Sequence, residues 1–322
     1  MRGAVSRKGW VLFAIMCLVW GIPYLFIKVA VEEVSVPVVV FARTAIGAML
    51  LLPLALRSAR KGGGQLGTLR RHWRPLVAFA TLEMIVPWGL LSAAERKLPS
   101  SLAGLLIAAV PIISVVTARL TGGTERLSPR RWAGLIIGLA GVAVLAAPDL
   151  GGGTGLAVTE VLLVAVGYAT APLIAARKLA DVPALPMTAA CLSLGALVWL
   201  PAAIATWPQR VPSGRALASL AALGVICTAF AFLVFLALIR EAGTSRAMVF
   251  TYVNPAVAVA AGVAFLSEPF TVTIAVSFAL ILAGSLLATG AARGSGDPAA
   301  DESPAEPARV SRRRPPRLRS RS

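Results

Sequence analysis

Seven stretches of the sequence carry no charged side chain: residues 9–27, 98–118, 132–148, 182–209, 216–239, 247–267 and 269–292. A helix that crosses the hydrocarbon of a bilayer needs roughly 20 consecutive apolar residues. One such run can be buried in a soluble core. Seven in one chain leave too little polar surface to cover them. The bulk composition agrees, because only 14% of the residues are charged, where a soluble domain has about 25%. The chain reads as an integral membrane protein. It reads as all-α, because a helix pairs its own backbone groups where no water can.

Ten transmembrane helices are expected, over 9–29, 35–56, 74–93, 99–119, 130–147, 155–176, 186–206, 215–238, 246–266 and 270–291. Three hold an internal charge: Arg43 in the second, Glu83 in the third and Glu160 in the sixth. The first helix follows Arg2, Arg7 and Lys8 much as a signal peptide would. Its apolar run is too long for that, and residues 29–37 offer no small-x-small cleavage pattern. It is expected to be retained.

The basic residues set an orientation. With both termini cytoplasmic, the inside segments hold Arg2, Arg7, Lys8, Arg57, Arg60, Lys61, Arg70, Arg71, Arg74, Arg119, Arg126, Arg130, Arg131, Arg177, Lys178, Arg240 and Arg246. The outside loops hold Arg96, Lys97, Arg210 and Arg215. This is the positive-inside bias of a multi-pass cell-membrane (plasma or inner membrane) protein. It also accounts for the formal charge of +17 without nucleic acid, since the cations lie between apolar runs and in the tail rather than on one motif. The Pro-, Ala- and Arg-rich tail, 292–322, has no apolar periodicity and is expected to be disordered. Its arginines are expected either to act as a solvated inside anchor or to touch anionic lipid. Besides the bilayer and a small-molecule substrate, a second copy of the chain is a candidate partner.

Catalytic and metal chemistry find little footing. His72 lies in a basic loop. Cys17, Cys191 and Cys227 lie singly in apolar runs, which argues against a disulfide framework or a zinc site. No phosphate loop and no nucleophile–base pair occurs, so no cofactor and no catalytic residue is expected.

The chain repeats itself. Ser100-Ser101-Leu102-Ala103, Pro111, Glu125, Gly138 and Gly141 are echoed by Thr244-Ser245-Arg246-Ala247, Pro255, Glu268 and Gly284. The offset is 144 at the prolines and 143 at the acids and at Gly141/Gly284. The expected organisation is a five-helix repeat over 1–148, a linker over 149–155, and a second five-helix repeat over 156–291. Five is odd, so the second half enters the membrane from the opposite side. Inverted repeats are a mark of secondary transporters, with the substrate held between halves near the midplane. Pro111 and Pro255 are expected to kink their helices beside such a cavity.

These residues resemble a known family. Trp20-Gly21 with Lys28, Pro37 with Arg43, Ser101-Leu102-Ala103 with Pro111, and Glu125-Arg126-Leu127 with Gly134, Gly138 and Gly141 look like the EamA-like branch of the drug/metabolite transporter superfamily. So does the second set, Tyr252, Pro255, Gly262, Glu268 and Gly284. The resemblance spans about 10–290. It implies ten helices, cytoplasmic termini, and movement of small metabolites, amino acids or drugs without ATP, with export the expected direction. Tyr168-Ala169 stands where the first half has Trp20-Gly21, so that pair's role does not carry over.

Charges inside a membrane are costly and usually functional. Glu83 has no acid at its repeat position, which falls at 227–231. It is read as a proton-coupling site, a binder of an amine, or a structural partner of Arg43. Arg43 also lacks a counterpart, since its repeat position is near Cys191. It could pair with Glu83, hold an anionic substrate group or snorkel. Trp88, Trp20, Tyr168 and Tyr252, with Asn254 as a polar partner, are candidates to line the cavity, having apolar faces and polar handles. Trp88 leads them because it follows Glu83 closely and directly succeeds Pro87. Lys28 is expected to snorkel or to reach Glu32. Glu125 and Glu268 are expected to favour the positive ends of the helices that follow them. A membrane-embedded enzyme of lipid metabolism and a permease subunit of a larger complex are the competing readings.

Overall fold

A computed structural model describes residues 6–62, 65–120, 128–151 and 154–289. Glu125, Arg126, Leu127, two residues of the expected linker (152–153) and the tail over 292–322 lie outside the described residues. The described residues are helical, with no strand among them.

Among the described residues, eight long apolar helices and two shorter ones follow one another: α1 (Arg7–Val31), α2 (Val36–Arg60), α3 (Trp73–Ala94), α4 (Ser100–Leu120), α5 (Pro129–Ala147), α6 (Gly155–Lys178), α7 (Ala184–Ala205), α8 (Gly214–Ala242), α9 (Asn254–Leu266) and α10 (Val272–Ala288). The first eight are long and apolar enough to cross a membrane, and α9 and α10 are shorter. The reason for α9 is local. Its apolar run begins earlier, but the backbone there forms a short helix, Thr244–Ala247, and a 3₁₀ turn, Met248–Tyr252.

The surface is inverted relative to a soluble protein. Large apolar side chains point outward along the helices, among them Phe265, 72% exposed, and Leu197, 66% exposed. Buried polar positions include Arg43, Thr44, Glu95, Thr188 and Thr228. Monomeric soluble proteins rarely expose contiguous apolar surface on this scale, and lipid covers it here. Trp10, Trp73 and Trp132 are exposed at the starts of α1, α3 and α5, where an interfacial belt belongs.

Packing follows the repeat. α2 lies on α7, α5 on α10 and α4 on α9, while α1 packs on α8 as α6 packs on α3. Exchanging each helix for the one five places on maps these pairings onto one another, as a twofold relation between halves requires. At the α5–α10 crossing, an added Cβ at Gly284 would strike the Gly138 backbone and one at Gly134 the Ala288 backbone, so small residues let these backbones meet.

Irregularities repeat as well. Both α3 and α8 contain a π-turn, Thr81–Ile85 and Val225–Phe230, at the repeat offset. Both α4 and the segment leading into α9 are broken. Pro111 and Pro255 each stand in the first turn of the following piece, where a missing N–H leaves no bond unmade. The kinks expected there are full breaks. α1 is broken too, between Val19 and Pro23, whereas α6 runs uninterrupted over Gly155–Lys178. That difference falls where Tyr168-Ala169 replaces Trp20-Gly21.

Consecutive helices alternate direction, so the connections sort to two ends. One end, poor in basic residues, holds 32–35, 95–99, 206–213 and 267–271. There Ser35 Oγ and Thr206 Oγ1 share a hydrogen bond of 2.7 Å. At the basic-rich end, Ser6 donates to Glu241 and Lys8 lies 4.0 Å from the same carboxylate. The halves are therefore latched at both ends, between α2 and α7 at one and between α1 and α8 at the other.

Candidate functional site

Two of the charges expected inside the membrane meet the two π-turns. Arg43, on α2, is only 7% exposed. Its Nε donates to Thr228 Oγ1 at 3.0 Å, and its guanidinium carbon lies 3.7 Å from the centroid of the Trp88 ring. Thr228 belongs to the π-turn of α8, and its own hydroxyl donates to the Leu223 carbonyl at 2.8 Å. It therefore has only acceptor capacity left for Arg43. A cation over an indole face contributes roughly 1–2 kcal/mol when desolvated. No carboxylate among the described residues lies within salt-bridge distance of Arg43. The Arg43–Glu83 pair, one reading of the sequence, is not formed.

Glu83 sits in the π-turn of α3, and its Oε2 is enclosed with no hydrogen-bond donor. Pro87 accounts for the turn. Val86 N–H reaches back to the Thr81 carbonyl, five residues away, and in that register Pro87 has no N–H to give Leu82. Gly167 on α6 covers the Leu82 carbonyl and the Pro87 ring so closely that a Cβ there would collide. From α7, Trp199 donates its Nε1–H to the Ile85 carbonyl at 3.1 Å. The other half thus closes over the widened turn, and widened turns are frequent at functional sites.

The repeat explains why the two charges stand apart. Arg43 is electrostatically coupled to Cys227, and Glu83 to Cys191. The repeat position of Arg43 falls near residue 191, and that of Glu83 at 227–231. Each charge thus has a cysteine of the other half within electrostatic range. Tyr168 feels both charges and lies beside Trp88. Tyr24, a buried residue not picked out by sequence, is coupled to Arg43 and Tyr168.

The other aromatic candidates gather elsewhere. Trp20 lies 5.6, 5.0 and 5.2 Å from Phe232, Phe235 and Phe250 in a packing cluster. Asn254, oriented to satisfy its amide, donates to the carbonyls of Phe250 at 3.1 Å and Cys17 at 3.2 Å. It ties the breaks of α1 and α9 together. Tyr252 is half-buried in the 3₁₀ turn. These three belong to the broken-helix crossing, not to the Arg43 locus.

A third polar group lies at the basic-poor end. Glu268 caps α4, its Oε1 accepting from Ser100 N at 2.6 Å and its Oε2 from Ser101 N at 2.9 Å. It had been expected to serve the helix after it. The same attraction to a helix N-terminus operates, but across the halves. Gly262 makes room, since a Cβ there would strike the Glu268 carboxylate. Glu268→Ala is expected to destabilise the fold by about 1–2 kcal/mol, as loss of a cap does, read as a lowered midpoint in thermal unfolding. Lys28 reaches neither lipid nor Glu32. Its Nζ donates to the carbonyls of Glu95 at 2.7 Å and Leu98 at 3.0 Å, closing the C-terminus of α3. Glu160 lines a recess of about 410 Å³ with Arg96 and Lys97 at this end.

Glu33, beyond the end of α1, accepts from the Ser213 N–H at 2.7 Å and from its hydroxyl. These bonds hold its carboxyl below the usual carboxylate range. A lowered folded value stabilises above the unfolded pKa, and that contribution is lost as pH falls through the folded one. The stability difference between wild type and Glu33→Gln is expected to be largest near neutrality and to vanish in acid. A difference that grows in acid would contradict the latch.

Comparison with known proteins gives a consistent picture. A family model described as the EamA-like transporter family matches residues 7–147 and again 155–290. No curated protein matches the chain. A solved structure titled only "Crystal structure of protein" superposes with a TM-score of 0.64, at 23% identity, over 90% of this chain and 100% of its own. At that identity the likeness is one of fold.

Proposed function

The chain belongs to the EamA-like transporter family, and on that premise we propose that it is a secondary transporter working by alternating access, exporting a small solute with an anionic group. The observation that carries this reading is Arg43. It is a buried guanidinium, stacked on Trp88 and bonded to Thr228 of the other half, with no carboxylate among the described residues within salt-bridge distance. A desolvated cation without a counter-charge is costly and persists where a ligand supplies the charge. Planar, forked guanidinium groups suit carboxylates and phosphates. Tyr168 and Tyr24 complete the wall, and Glu83 is the carboxyl that couples export to a proton.

The alternation follows from the repeat. In this reading the chain crosses the cell membrane ten times in two inverted halves, with both termini cytoplasmic and the site between α2, α3 and α8 near the midplane. The distribution of Lys and Arg supports that orientation. The latches Ser35–Thr206 and Glu33–Ser213 on one side, and Ser6–Glu241 on the other, are contacts between halves that break alternately as the site opens outward or inward. The test is solute counterflow in proteoliposomes with carboxylate, phosphate and amine libraries. Exchange of anionic solutes alone is the expected outcome. Exchange confined to amines would overturn the assignment of Arg43.

A further inference from the structure

The acid at the C-terminus of α3 is Glu95. It follows the last turn of α3 and is 0% exposed. Neither carboxylate oxygen has a hydrogen-bond partner, and nor does the buried hydroxyl of Ser100. The charged and titratable groups around it come from every element packed there. Lys28 and Tyr24 face it from α1, Arg43 from α2, and Glu268 from beyond α9. The Glu268 oxygens are occupied by the N–H groups of Ser100 and Ser101. The Lys28 ammonium is held by the backbone carbonyls of Glu95 and Leu98, next to the Glu95 carboxyl but not on it. Arg96 and Lys97 line the outer recess instead.

From this geometry we propose that Glu95 is a second proton-binding site, whose protonation holds the basic-poor end shut. The enclosed arrangement accommodates a neutral acid. An ionised carboxylate without donors costs several kcal/mol, and the nearest remedy is Lys28. If the ammonium turns to Glu95, the carbonyls of 95 and 98 lose their donor and the α3–α4 connection is released. A metal cation fits poorly, since the free oxygens are those of Glu95 and Ser100 alone and an ammonium stands beside them. The role in transport rests on the transporter reading, but the titration itself is read without any solute.

The experiment is hydrogen exchange of the full chain in lipid nanodiscs from about pH 5 to about pH 9, corrected for intrinsic rates. In wild type, the opening of amides 96–101 is expected to rise about tenfold or more with pH, while α5 and α10 stay unchanged. Glu95→Gln is expected to keep these amides protected throughout, and Glu83→Gln to behave as wild type. A pH-independent wild type, or a Glu95→Gln protein opening as wild type does, would overturn the proposal. If Glu95→Gln does not elute as a single species, wild type against Lys28→Met decides. Lys28→Met is expected to open at every pH, and an unchanged pH response in it would overturn the proposal. A protein that transports nothing yet opens this segment with pH would sink the transporter reading and leave the site standing.

Discussion

An Arg43→Gln protein is expected to unfold at the same or a higher temperature than wild type, yet to lose transport. The two halves of that result come from one fact. The guanidinium is buried with no carboxylate among the described residues within salt-bridge distance, so removing it relieves a desolvation cost and forfeits one hydrogen bond and one ring contact. Those contribute roughly 3–5 kcal/mol together, comparable with the several kcal/mol that an unpaired buried charge costs. A solute anion bound there would lose a charge-assisted interaction of about 2–3 kcal/mol, or roughly 30- to 150-fold in affinity. Arg43→Lys is expected to be impaired nearly as far, because an ammonium keeps the charge but not the flat face on Trp88 or the Nε bond to Thr228. If Arg43 only braced the helices, stability and transport would fall together, so thermal unfolding and counterflow on the same variant separate the two roles.

With Glu95 replaced by Gln in both proteins, Glu83→Gln is expected to abolish the pH dependence of transport, with expression and folding intact. Its Oε2 is enclosed without a donor, so the free energies of its charged and neutral forms respond strongly to any movement that wets the π-turn. That response is what a coupling site needs. The amide keeps the shape and cannot titrate. Rates measured between about pH 6 and about pH 8 are expected to converge to within roughly twofold. An unchanged pH profile would rule out a coupling role for Glu83.

Much of this was legible in the sequence, and the limits have physical causes. Helix positions follow from run length, because lipid permits little else than a helix. Arg43 and Glu83 stood out because each lacks a partner at its repeat position, and Trp88 because of Pro87. The contacts themselves were not readable. Thr228 lies 185 residues from Arg43 along the chain and looks like any threonine in an apolar run. Trp20 and Asn254 were grouped with Trp88 by residue type, but α1 and α9 carry them to a separate crossing. The reach of Glu268 toward a helix N-terminus was right in kind, while its target lies in the other half, which no local pattern reveals. Glu95 was hidden by Arg96 and Lys97, which made the segment read as a solvated loop.

The central claim is that Arg43 and its neighbours form a solute site reached alternately from the two sides. Counterflow in proteoliposomes tests it most directly, with wild type and Arg43→Gln reconstituted side by side and challenged with the same solute library. The account predicts exchange of at least one anionic solute by wild type and none above background by the variant. Folded wild-type protein that exchanges no solute, or an Arg43→Gln protein that exchanges the same solute equally well, would contradict it.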